Sequence, residues 1–309
     1  MSGMHFHAEA VMGTVVTFEV LGQAGDATRQ LDREAAVGRA VGWFRHLERV
    51  CTRFDPASEL RQLSAQTGVA VPVSTLLFEA VRFAIGVATE TGGAFDPTIG
   101  HRNEARGFDR EFRHGWKACS NVAVLDDPAS FRDVILDPEN RTITLGRPLV
   151  LDLGAVAKGL AIDLAARELR GQGNFSIDAG GDLYLGGRNA AGRPWSVGIR
   201  HPRDPLAVIE TMRVSDAAVC TSGDYERRTS ASGDGGHHIL DPRTGESPAG
   251  VVNATVVAPS AMVADALATA AFVLGPVEGL QLLERHGVAG VIFSDTLERF
   301  ATAGFGDKT

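Results

Sequence analysis

At 309 residues with 44% hydrophobic content, the chain is long enough to bury one large core or two fused smaller ones, and its formal net charge of −8, with acids and bases interspersed, offers no basic stripe to nucleic acid. Three cysteines (Cys51, Cys119 and Cys220) lie far apart without a Cys-x-x-Cys pair, which argues against a zinc knuckle or a disulfide framework and for reduced, packed thiols. The opening residues carry no basic start, long apolar run or small-residue cleavage site, and no other segment holds the roughly 18 apolar residues of a membrane span, so a cytoplasmic protein with no membrane contact is expected.

Residues 4–21 alternate around Phe6, Val11, Val15, Val16 and Phe18, the period of one or two strands. They are interrupted at Met12-Gly13-Thr14, where the glycine marks either a bulge or a close approach of backbone to a ligand. Residues 26–50 follow a helical period, as do residues 74–91 with Leu77, Val81, Ala84, Ile85 and Ala88 on one face. Between them Arg53-Phe54-Asp55-Pro56 breaks the chain, and Ser58 can cap a short helix through Leu63. Gly92 and Gly93 stop the second helix and Pro97 forces Asp96 out of helical backbone, so Ala94-Phe95-Asp96 is either a plain helix stop or a rigid ligand wall. Residues 101–118, rich in charge and histidine without periodicity, read as a mobile surface loop, and residues 119–150 as short strands with a hairpin across 137–140.

Residues 151–187 organise the rest. Asp152 closes an apolar run, Gly154 turns the chain into a helix bearing Val156, Leu160, Leu164 and Leu169, and a strand then runs into the double glycine at Gly180-Gly181. Lys158 falls in the first turns of that helix, against the macrodipole, so it is either a solvated surface lysine or has an anion close by. Residues 195–199 and 208–214 alternate as strands. His237 and His238 beside an Asp-Pro turn hint at metal, but adjacent side chains on a strand point to opposite faces, so one at most faces a given site. Residues 233–236 read as a flexible connection, 251–258 as a buried strand, Ser260 as a cap, 262–274 as a helix and 288–294 as the last strand before a short polar tail at about 300–309.

In that late helix Asp265 and Thr269 share one face, surrounded by alanines. So apolar a setting makes a lone carboxylate costly unless it is met by a hydrogen bond, an arginine or a bound cation. An Asp, a hydroxyl and a backbone carbonyl would suit magnesium.

Eight stretches in fixed order, MGT at Met12, RFDPASEL at Arg53, GGAFDPT at Gly92, LDLGAVAKG at Leu151, DAGGD at Asp178, TSGDY at Thr221, HHILDPRTG at His237 and ADALATA at Ala264, resemble the ApbE family of FAD:protein FMN transferases. The resemblance runs from Met12 to Ser294 and implies one ApbE-like (T-fold-like) α+β domain over residues 1–309, with antiparallel sheets flanked by helices in two intimately packed halves. It further implies an FAD site lined by Met12, Phe54, Ala94, Phe95, Asp96, Asp152, Lys158, Asp182 and Ile239. Magnesium would be held by Asp265, Thr269 and the backbone carbonyl of Ala155. The family moves the FMN half of FAD to a Ser or Thr hydroxyl of a target flavoprotein or FMN-binding domain and releases AMP. Lys158 would stabilise charge, and His238 is the candidate base because histidine titrates near neutral pH, with Asp152 and Asp182 behind it. The same residues would also serve a magnesium-dependent FAD pyrophosphatase, whereas a non-catalytic FAD carrier gains nothing from Lys158, Asp265 and Thr269 together. Many family members are exported and lipid-anchored, and without such a signal the target here is expected to be cytosolic. Residues 101–117 match no family motif, so the acceptor motif can differ from the usual Asp-x-Ala-Thr/Ser-Ala-Thr.

Overall fold

The computed structural model of the chain describes residues 2–23, 27–110, 117–118, 129–225 and 236–306. The expected alternation at the start becomes a hairpin of β1 (Ser2–Val11) and β2 (Thr14–Gln23). Met12 and Gly13 form its two-residue turn, both with positive φ (53° and 74°), as a hairpin turn that matches strand twist requires. The helical periods become α1 (Ala27–Cys51) and α3 (Thr75–Glu90), with α2 (Glu59–Ser64) between them and β3 (Ala70–Pro72) after it. Ser58 and Ser74 cap α2 and α3 by accepting the Arg61 and Leu77 N–H groups.

Where the expected loop at 101–118 begins, the chain forms α4 (Gly100–Ala105), with Asn103 and Asp109 buried, and residues 111–116 lie outside the described residues. β4 (Val134–Asp137) and β5 (Thr142–Leu145) form the expected hairpin, while Cys119 and the rest of 119–128 lie outside the described residues, as does most of 233–236. Then come α5 (Gly154–Leu169), β6 (Phe175–Ala179), β7 (Asp182–Gly186), β8 (Trp195–His201), β9 (Asp204–Val214) and β10 (Ala217–Gly223). The chain closes with β11 (Val251–Ala258), α6 (Ala261–Arg285), β12 (Ala289–Ser294) and β13 (Arg299–Ala301). The supposed polar tail thus adds an edge strand and buries Phe305.

One antiparallel sheet in the order β1-β2-β6-β7-β10-β11-β12-β13 divides two cores. On one face, Phe18, Phe175, Ile177, Cys220, Val256 and Ile292 pack under α1, α5 and α6. On the other, Leu185, Val219, Val291 and Phe293 pack against Val197, Ile199, Met212 and Val214 of the β8–β9 hairpin. The expectation that no segment is long and apolar enough to cross a membrane fails for α6 by length and composition. Here it is the central core helix, packed on α5, β10, β11 and β12 and broken at Gly275 ahead of Pro276.

Candidate functional site

The sheet places the tips that matter at one end: the β1–β2 turn at Met12, the β6–β7 turn at Gly180-Gly181, the end of β10 and the start of β11. α5 runs away from that end and α6 returns towards it. They touch because residue 159 is glycine, where a Cβ would stand 2.5 Å from Met262 Cα. Lower down, Asp163 of α5 clamps the start of α6, taking the Ser260 hydroxyl at 2.6 Å and the Ala261 and Met262 N–H groups at 2.7 and 3.1 Å.

This register puts Lys158 Nζ 3.3 Å from Asp265 Oδ2 and in an ion pair with Asp182. Asp182 Oδ1 accepts the Thr221 N–H at 3.1 Å, and Thr269 Oγ1, one turn beyond Asp265, lies 3.1 Å from Ser222 Oγ. The lysine is therefore no free surface cation: the anions beside it are two carboxylates. One ammonium against two carboxylates leaves a formal net charge of −1 among side chains only 20%, 5% and 9% exposed. Burial, with Asp265 adding to it, pushes the neighbouring Cys220 thiol well above its usual value, so it is an inert packed group.

At the start of α5, Asp152 faces Arg53 at 2.9 Å, Asn103 Nδ2 at 3.2 Å and its own turn's Gly154 N–H at 2.9 Å. Burial pushes this carboxyl up, but the Arg53 charge and those hydrogen bonds outweigh it and hold it below the usual carboxylate range. The structure does not favour Asp152 as a base, because both oxygens are engaged and the group resists protonation. Arg53 also donates to Phe108 O at 2.5 Å and lies over the half-buried Phe54 ring, 4.2 Å from its centroid.

Ala94, Phe95 and Asp96 are buried, and the Asp96 oxygens accept from Thr98 N and Oγ1 and from Phe131 N. Burial pushes this carboxyl up despite those donors. Its hydrogen bonds organise the turn. Met12 is half-buried, its N–H given to Glu48 Oε1 at 2.6 Å.

The two histidines diverge as their spacing requires. His237 is buried edge-on against Phe272 of α6 at 5.4 Å, and His238 turns to Phe108 at 6.3 Å. Ile239 between them and the turn is buried. The structure therefore gathers Lys158, Asp182, Asp265 and Thr269 into one cluster and Phe54, Asp152 and His238 around Arg53 and Phe108. Sequence reasoning passed over Arg53, Asn103 and Ser222. Arg53 was legible as a buried-carboxylate partner inside its motif; the other two depend on contacts between distant elements.

Among the described residues no three His, Cys, Asp or Glu side chains form a ready metal group. The donors on hand are hard oxygens beside an excess negative charge, which fits magnesium rather than a soft metal. Cavities of about 290 Å³ (Arg170, Phe175, Tyr184) and 340 Å³ (His5, His7, Arg45) are lined by residues outside these clusters.

The ApbE family model matches residues 12–293. The chain is 33% identical over 246 residues to the FAD:protein FMN transferase of Vibrio cholerae, covering 75% of this chain and 72% of that protein. It is 33% identical over 336 residues to the one of Treponema pallidum, covering 97% and 87%. Its fold is similar to the crystal structure of the ApbE protein of Thermotoga maritima, with a TM-score of 0.84, 26% identity and 98% of both chains covered. The flavin transferase ApbE of Vibrio cholerae gives 0.83, 26% and 99% of both.

Proposed function

The chain belongs to the ApbE family, and on that footing we propose that it is an FAD:protein FMN transferase acting on a Ser or Thr hydroxyl of a flavoprotein or FMN-binding domain. The observation that carries the reading is the cluster of Lys158, Asp182, Asp265 and Thr269 on α5, α6 and the adjoining strands. An oxygen-rich cluster of net negative charge around a lysine suits a phosphoryl donor bound with a cation.

Asp265, Thr269 and the Ala155 carbonyl would hold magnesium, which when bound offsets the charge of a diphosphate. Lys158 supplies positive charge on the α5 side. The acceptor oxygen attacks the FMN phosphorus, the bond to the AMP oxygen breaks, AMP leaves, and the hydroxyl proton passes to His238. Asp182 orients Lys158, and Asp152 holds Arg53 and the first turn of α5.

The test mixes the protein with FAD, magnesium and an FMN-binding domain carrying an Asp-x-Ala-Thr/Ser-Ala-Thr segment, and follows the acceptor by mass spectrometry. A covalent FMN increment matched by AMP is expected. AMP and free FMN with no increment on the acceptor would make the protein a hydrolase instead.

A further inference from the structure

We propose that Arg102 and Arg106 are positioning residues for the loop that carries His238, so that α4 controls the transfer rate through that loop. This rests on the transferase reading above. The two arginines are four apart and share one face of the chain as it leaves α4. Arg102 Nη1 donates to Pro242 O at 2.6 Å, and Arg106 Nη2 donates to Ser247 Oγ at 3.4 Å. Ser247 Oγ in turn accepts the His237 N–H at 3.2 Å and donates to His237 O at 3.0 Å, so Arg106 grips the backbone beside His238 through one hydroxyl.

Glycines let the guanidinium groups in. A Cβ at Gly236 would stand 2.1 Å from Arg106 Nη2, and one at Gly245 would stand 3.3 Å from Arg102 Nη1. The loop is braced within itself, Asp241 O taking the Gly245 N–H at 2.8 Å and Asp241 N donating to Glu246 O at 2.8 Å. α4 itself is fixed to the α5 end of the site by Gly100 N to Val150 O at 3.1 Å and Asn103 to Asp152. A few residues on, Phe108 sets its ring against His238. One short segment therefore ties the start of α5 to the imidazole, and a small misplacement of a base is costly in rate.

The test compares Arg102→Ala, Arg106→Ala and both Lys variants in the full chain. The readouts are single-turnover FMN transfer to the same acceptor domain, FAD titration, and hydrogen exchange over residues 237–247. The Ala variants are expected to lose about 10- to 100-fold in transfer rate with FAD affinity unchanged. In the Ala variants exchange should rise within 237–247, whereas Arg102→Lys should recover most of the rate, because an ammonium can still donate to Pro242 O. Wild-type rates in the Ala variants would overturn the proposal, as would a rate loss that merely tracks weaker FAD binding. If the wild-type chain transfers no FMN, the transferase reading fails, and the exchange comparison still decides whether these arginines hold the loop.

Discussion

Lys158 on α5 and Asp265 on α6 meet at 3.3 Å, one residue from the glycine that lets the two helices touch. Because Asp182 pairs with the same ammonium, the lysine holds two buried carboxylates together. Lys158→Met should therefore cost the fold as well as catalysis, about 3 kcal/mol, the usual penalty for stripping one partner from a buried pair. Magnesium should raise the melting temperature of the variant more than that of the wild type, since it supplies the missing positive charge. Thermal melts with and without magnesium decide the point, and an unshifted melt in its absence would count against it.

Asp265→Asn keeps the shape and a carbonyl oxygen for Lys158 but removes one negative charge. FMN transfer should fall about 100-fold or more and need more magnesium, whereas the fold should hold to about 1 kcal/mol. Titrating AMP release against magnesium, with a melt of the same sample, checks both halves of the statement.

Gly159→Ala tests the helix contact from the other side. A methyl group 2.5 Å from Met262 Cα and 2.6 Å from Ala261 O has no room, so α5 and α6 must separate. A loss of about 1–3 kcal/mol is expected, together with slower transfer, because Lys158 and Asp265 part with the helices. A stable variant of normal rate would mean that the crossing tolerates more space than its geometry shows.

His238→Ala should lower transfer by about 10²- to 10⁴-fold and leave FAD affinity intact, since a base acts on the acceptor hydroxyl. Flavin titration and single-turnover transfer on one preparation separate the two effects. Equal losses in both would reassign His238 to flavin binding.

Asp152 gives a pH signature. Its carboxyl is held below the ordinary range in the fold, after burial and the opposing Arg53 charge are weighed. Its contribution is thus complete above the unfolded value near pH 4 and is lost as pH falls through the lower folded value. Asp152→Asn should cost about 3 kcal/mol at neutral pH, and the gap to wild type should close in acid below about pH 4. A gap independent of pH would show that the Arg53 charge is not what Asp152 answers.

Local signals were the legible ones. Ser58, Ser74 and Ser260 each cap a helix with their own hydroxyl, and a cap is read from a few adjacent residues. By contrast, Ile99 precedes α4 without a side-chain cap and the helix is held by its ties to Val150 and Asp152, so its residues carried no local period. The three residues of β13 exist because β12 offers them an edge. In the site, the residue types at Lys158, Asp265 and Thr269 were visible as chemistry, but Asp265 lies far along the chain and is brought in by the α5–α6 crossing, while Asp182 reaches the same lysine from the start of β7. The same distance hid the bond between Ser222 and Thr269.

The clamp of Asp163 on Ser260, Ala261 and Met262 has a rotational meaning. Each residue of α6 advances about 100° around its axis, so a slip of one position at the clamp would swing Asp265 away from Lys158 and turn Ala264 or Ala266 towards it. Flanked by alanines, the carboxylate is presented at a single angular setting of the helix. Asp163, which contacts neither Lys158 nor Asp265, therefore sets the phase in which α6 shows charge or methyl groups to α5.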